Sequence, residues 1–225
     1  MINKKHDLKT KNEFYTIVDN FDEVCEMLFG KKNRPLGKDE FYFLQILVRG
    51  KDGNKVSGNN KNRLVKYYRI HSKEQLLDLK SEITGICEVV NGRAYIHPTR
   101  RDVNEVAKIA LELTTRTYVC GNWIGLQGVY STACGKSYVK NDKKYIVDLD
   151  DMEKGDLEYE DIKKTINSLR GKGDDKIFGE LQTKDGWHLI TTPFDVEKFK
   201  ELYQNIDVHK NNPTLLYYYK NHENV

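Results

Sequence analysis

The stretch Tyr145-Ile146-Val147-Asp148-Leu149-Asp150-Asp151 sets paired carboxylates at the end of an apolar run. Side chains alternate along a strand, so Asp148 and Asp150 share one face while Val147 and Leu149 share the other. Carboxylates that close repel unless a cation lies between them. Oxygen donors of this kind suit Mg²⁺ or Mn²⁺, ions that also bind phosphates. Such an ion polarises a phosphoryl group and helps to activate an attacking hydroxyl. The plainer alternative is that the acids end a strand and cap the following turn or helix.

Thr183-Lys184-Asp185-Gly186-Trp187-His188 adds a tight turn just before a histidine on a strand. Thr183 and Gly186 belong to that turn, and a glycine there lets backbone and ligand approach closely. His188 can hydrogen-bond a phosphate oxygen, and its protonated form adds charge to do so. The alternative is a half-buried strand histidine satisfied by a neighbour. Asp207, in Asn205-Ile206-Asp207-Val208-His209, offers a third acid on a later strand. Asp195, in Pro193-Phe194-Asp195-Val196, reads instead as a helix N-cap.

Other signals are weaker. Cys134-Gly135-Lys136-Ser137 mimics the end of a P-loop, but the first glycine of that motif would fall at Tyr130, so a Walker motif is rejected. Arg93, Arg100 and Arg101, with Tyr95 between them, could present a basic-aromatic surface to a nucleic-acid strand; the alternative is a solvated hairpin and helix start. The run Tyr217-Tyr218-Tyr219 could stack on bases, or pack on the body as a terminal strand or helix.

The elements that must position these residues follow from periodicity. A short helical patch over Phe21–Phe29 stops at Gly30. Strands over Phe41–Val48 and Leu64–Ile70 form a hairpin, joined by a long basic loop from Arg49 to Asn62. Ser72-Lys73-Glu74-Gln75 has capping-box spacing and starts a helix through about Ile83. Glu88–Ile96 reads as a second hairpin turning on Asn91-Gly92. Val103, Val106, Ala107, Ala110 and Leu113 fall at helical spacing, and residues 119–137 read as a linker or substrate-lining loop. The remainder runs as a strand (Lys144–Leu149), a helix (Tyr159–Leu169), strands over Ile177–Gln182 and Trp187–Thr191, a helix (Val196–Tyr203) and a strand near Ile206–Val208. That order is the order of a ferredoxin-like or RRM-like sheet. The expectation is an α/β (α+β) protein, with an N-terminal α/β unit over residues 1–140 and an RRM-like unit over 141–225, the site lying in the cleft between them.

Composition bounds the function. The chain has 225 residues, 38% hydrophobic and 32% charged, with a net charge of only +3, so no global positive field demands a nucleic-acid partner. Charge is uneven, with bases crowding residues 49–69 and acids crowding 148–161. No apolar run reaches the length of a membrane span, and the N-terminus lacks a signal core. Four scattered cysteines (Cys25, Cys87, Cys120, Cys134) argue against a disulfide scaffold or zinc ribbon and for reduced, buried thiols in a cytoplasm.

Asp148-Leu149-Asp150 after an apolar strand, Thr183 to His188 before another, and then Asp207 together resemble the three-motif signature of archaeo-eukaryotic primases and primase-polymerases. The resemblance covers about residues 140–215. It implies that Asp148, Asp150 and Asp207 bind Mg²⁺ or Mn²⁺ and carry catalysis. It also implies that His188, with Thr183 and Gly186 of its turn, holds the incoming nucleotide. The partners would be a single-stranded nucleic-acid template and nucleoside triphosphates, and the reaction nucleotidyl transfer. Departures are Asp185, an acid close to where phosphates would lie, the small size of the chain, and the lack of a zinc-binding cysteine cluster. The rival readings are a non-catalytic RRM-like module that binds nucleic acid or nucleotide, and a metal-dependent nuclease or phosphotransferase using the same acids.

Overall fold

Two antiparallel sheets organise the computed structural model, which describes residues 9–11, 15–52, 62–171, 173 and 175–222. The chain enters through β1 (Lys9–Lys11) and β2 (Tyr15–Asp19), then α1 (Phe21–Phe29). Phe21, Val24, Cys25 and Leu28 repeat at helical spacing and are all buried, which is why this segment coils against the core. The expected hairpin forms from β3 (Glu40–Arg49) and β4 (Asn62–Ile70), with a bulge after Ile46. Residues 53–61 of its basic loop lie outside the described residues.

Ser72 caps the next helix as its spacing predicts: its hydroxyl accepts from the Gln75 N–H at 3.1 Å, and the Gln75 side chain accepts from the His71 N–H at 2.7 Å. The helix breaks once, giving α2 (Lys73–Asp78) and α3 (Lys80–Val90). The expected second hairpin over Glu88–Ile96 is therefore absent. Asn91 sits at φ 52°, and the Gly92 N–H bonds back to the Cys87 carbonyl at 2.8 Å, so Asn91-Gly92 closes a helix rather than a β-turn. Only the second arm, β5 (Arg93–Ile96), is a strand. After β6 (Arg101–Asp102) and the long α4 (Val103–Val119), part of the expected linker is a helix, α5 (Val129–Lys136). Cys134-Gly135-Lys136 is its last turn, with no strand–loop–helix around it.

The C-terminal half runs β7 (Tyr145–Asp150), α6 (Leu157–Ser168), β8 (Ile177–Gln182), β9 (Gly186–Thr191), α7 (Val196–Leu202) and β10 (Asp207–His209). Asp195 does cap α7, accepting from the Lys198 N–H at 3.2 Å. The small sheet has the order β10-β7-β9-β8. One face buries Val147, Leu149 and Leu189 under Tyr159, Ile162 and Ile166 of α6 and Phe199 of α7.

The last strand, β11 (Thr214–Asn221), leaves this unit. It inserts between β2 and β5 of the large sheet, whose order is β1-β2-β11-β5-β3-β4 with β6 beside β3. The Tyr217–Tyr219 run is thus an interior strand, and the chain's halves do not separate at residue 141. Ile146, Leu181 and Ile190 of the small sheet share one core with α1, β3 and β11. Asn20, fully buried, staples the two sheets by donating to the carbonyls of Gln182 (2.8 Å) and Leu215 (2.9 Å). Every described strand pair is antiparallel, so the architecture is α+β rather than parallel α/β. No helix among the described residues is long and apolar enough to cross a membrane. None of the four cysteines is in a disulfide; Cys25, Cys87 and Cys134 are buried and Cys120 is exposed.

Candidate functional site

The alternation of β7 sends Val147 and Leu149 under the helices and turns Asp148 and Asp150 to the opposite face. Register then assembles a row. Asp148 lies opposite His188 on β9 and opposite Asp207 on β10, while Asp150 lies opposite Gly186. Directly opposed residues of antiparallel strands point the same way, so Asp207, Asp148 and His188 share one face across three neighbouring strands.

His188 is held on both sides. Its Nε2 is 3.3 Å from Asp148 Oδ1, and its Nδ1 is 2.8 Å from the hydroxyl of Thr214, a fully buried residue at the start of β11. With the neutral ring protonated at Nε2, the nitrogen that faces the Asp148 carboxylate, Nδ1 accepts the Thr214 hydroxyl proton. The large sheet therefore orients a side chain of the small one.

Negative charge crowds the corner of the small sheet. Asp151, at φ 60°, donates its N–H to the Asp185 carbonyl at 2.9 Å, which brings the β7 end and the β8–β9 turn together. Partial burial, then the neighbouring carboxylates of Asp148, Asp185 and Asp151, push the Asp150 carboxyl above its ordinary value. Carboxylate oxygens are the donor type that a hard divalent ion takes. Asp148, Asp150 and Asp207 line a single pocket of about 350 Å³ beside Tyr203 and Asn205. Asp207 is largely exposed and lies 3.4 Å from Lys200 Nζ. Among the described residues no three His, Cys, Asp or Glu side chains converge on one point as a metal-ligand group.

The turn residues serve the protein's own backbone. Thr183, buried, accepts at its hydroxyl from the N–H groups of Gly186 (2.9 Å) and Asp185 (3.3 Å) and donates its own N–H to the Gly186 carbonyl. A Cβ on Gly186 would lie 2.0 Å from the Leu149 carbonyl oxygen, so glycine is required by the approach of β7 itself. Both residues were expected at the nucleotide; both close the turn that presents His188.

The arginines expected on a nucleic-acid surface are inside. Arg93 donates to Asp52 at 2.8 Å and lies over the Tyr218 ring. Arg100 donates to the Tyr42 hydroxyl at 3.1 Å and lies 3.7 Å from Asp142. Arg101 donates to the carbonyl of Thr99 and to Asn211. All three are buried: Arg93 because β5 is an interior strand of the large sheet, not a hairpin edge, and Arg100 and Arg101 because they enter β6 beside β3.

A different set faces Asp148. A cleft of about 430 Å³ has Asp148, His188 and His209 on one wall and Gln45, Arg49 and Tyr95 of the large sheet on the other. Arg49 donates to the Tyr95 hydroxyl at 2.9 Å. The cleft thus sets the Asp148 carboxylate on one wall against the Arg49 guanidinium on the other. Arg49 had one faint signal, a charge closing the uncharged run Phe41–Val48; Thr214 had none, because its role depends on a contact 26 residues away in sequence.

Comparison of the chain with protein-family models, with characterised proteins and with solved structures returns no match.

Proposed function

We propose that this protein is a divalent-metal-dependent nucleotidyltransferase of the primase-polymerase kind, which joins nucleotides along a single-stranded template. The observation that carries the reading is the row Asp207–Asp148–His188, with Asp150 beside it: Asp148 joins the pocket it shares with Asp150 and Asp207 to the cleft it shares with His188 and Arg49. The strand order β10-β7-β9-β8, with both helices on one face, supports an RRM-like catalytic unit.

Asp148, Asp150 and Asp207 would hold Mg²⁺ or Mn²⁺, which would neutralise charge on the transferring phosphoryl group. His188, oriented by Thr214, and Arg49 across the cleft bind the triphosphate from two sides, and positioning of this kind supplies much of the catalysis in phosphoryl transfer. The priming 3′-hydroxyl oxygen bonds to the α-phosphorus as the bond to pyrophosphate breaks.

The test is to incubate the protein with single-stranded DNA, labelled nucleotides and Mg²⁺ or Mn²⁺, and to resolve the products beside Asp148→Ala/Asp150→Ala. Extension products that vanish in the variant are expected. Shortened template instead would assign the acids to a nuclease; unchanged template and nucleotides would remove the nucleotidyl-transfer reading.

A further inference from the structure

The wall of the cleft that carries Arg49 does not end at the cleft. Gln45 lies opposite Tyr95 of β5 on one side and opposite Tyr67 of β4 on the other, so the three side chains form one row on one face of the large sheet. Tyr95 and Gln45 line the cleft with Asp148 and His188. Tyr67 ends the row on the edge strand, where it is 42% exposed. Two strand spacings separate Tyr67 from Tyr95, about 10 Å.

Tyr67 is already held in place. Its ring centroid is 5.9 Å from that of Phe43 beneath it and 5.3 Å from that of Tyr130 on α5. Arg69, two residues along β4 on the same face, is exposed. β3, β4 and β5 together contain a single carboxylate, Glu40, and it is occupied by Arg34. This wall therefore offers one part-exposed aromatic ring, Tyr67, and positive charge, and runs through the buried Tyr95 to the cleft that holds Asp148 and His188, its nearest other acid, Asp52, being paired with Arg93.

We propose that the row Tyr67–Gln45–Tyr95, flanked by Arg69 and Arg49, is the path of a single-stranded nucleic acid into the cleft. One base stacks on Tyr67, and the adjoining phosphates lie against the two guanidinium groups. Stacking on a ring is tolerant of sequence, so binding has little base preference. The direction of the path, toward Asp148 and His188, rests on the nucleotidyl-transfer reading; the binding does not.

The experiment is fluorescence anisotropy with labelled oligo(dT) and oligo(U) of about 20 nucleotides, longer than the roughly 4–16 that one OB fold covers. Chelator is present and nucleotide is absent. Wild type binds. Tyr67→Leu, which keeps the contact with Phe43 but removes the π-face, weakens binding about tenfold, and Tyr67→Phe keeps it. Arg69→Gln lowers the slope of log affinity against log salt by about 0.7, the value for one phosphate contact on a single strand. No binding by wild type, or equal binding by correctly melting Tyr67→Leu and Arg69→Gln, overturns the path. Tyr67-dependent binding without nucleotide incorporation leaves the path standing and removes the nucleotidyl-transfer reading alone.

Discussion

Asp148 meets His188 and Asp207 because two strand registers put them opposite it, yet what fixes the imidazole is a threonine from the other sheet. Thr214→Val keeps the shape of the buried side chain and removes only the hydroxyl. Loss of one such hydrogen bond costs about 0.5–1.5 kcal/mol of stability. Groups that orient a functional histidine affect its task more strongly, by about 10–100-fold where it serves a metal site. Thr214→Val is therefore expected to raise the KM for nucleotide about tenfold with a small change in kcat, and Thr214→Ser to restore it. Steady-state kinetics of the two variants check this; a KM unchanged in Thr214→Val would make the contact merely structural. At this scale the acids and the histidine were legible in the sequence, since strand alternation alone puts Asp148 and Asp150 on one face. Arg93, Arg100 and Arg101 were misjudged because nothing local marks an arginine as buried; their partners, Asp52, Tyr42, Asp142 and Asn211, come from distant segments.

Glu180 shows how an element is held over the sheet. It projects from β8 toward α6, where Lys163 (2.7 Å), Lys154 (2.8 Å) and the Tyr159 hydroxyl (2.9 Å) surround it. Burial alone would raise its carboxyl; the hydrogen bonds from Lys154, Lys163 and Tyr159 outweigh that and bring it from 4.5 down to about 2. A depressed carboxyl contributes stability that is present above its unfolded value and lost as pH falls through the folded one. Glu180→Gln should thus destabilise the protein by about 1 kcal/mol at pH 7, a value discounted for partial exposure. The difference from wild type should shrink between pH 4.5 and about 2. Denaturant melts at several pH values measure this, and a pH-independent difference would contradict it. Element types in the C-terminal half were readable because apolar runs alternate there with clear turn signals such as Asp185-Gly186. The Glu88–Ile96 hairpin was misread because left-handed Asn suits a hairpin turn and a helix end equally; Ile83 and Cys87, four apart and both buried, carried the helical pattern. α5 was missed because its buried stripe is only Val129, Ala133 and Cys134 among small and polar residues.

The whole molecule is joined by β11 and by a core that both sheets share. No local pattern reveals that Thr214–Asn221 returns to pair with Tyr15–Asp19 and Arg93–Ile96, since the pairing lies in contacts remote in sequence. Leu216 lies at that junction, fully buried. Leu216→Ala should cost about 2–5 kcal/mol and lower the melting of both halves together. Coincident transitions by circular dichroism and by Trp187 fluorescence are expected; separate transitions would mean that the units fold independently. The same joint builds the cleft, because one wall comes from each sheet. Electron paramagnetic resonance of Mn²⁺ reads the proposed divalent-cation site at Asp148, Asp150 and Asp207 and its service to a nucleotide. Titrated into wild type, Mn²⁺ should bind, and bind more tightly with a nucleoside triphosphate present, whereas Asp148→Asn of unchanged melting temperature should lose both effects. Equal Mn²⁺ binding by wild type and Asp148→Asn, or none by either, would contradict the account.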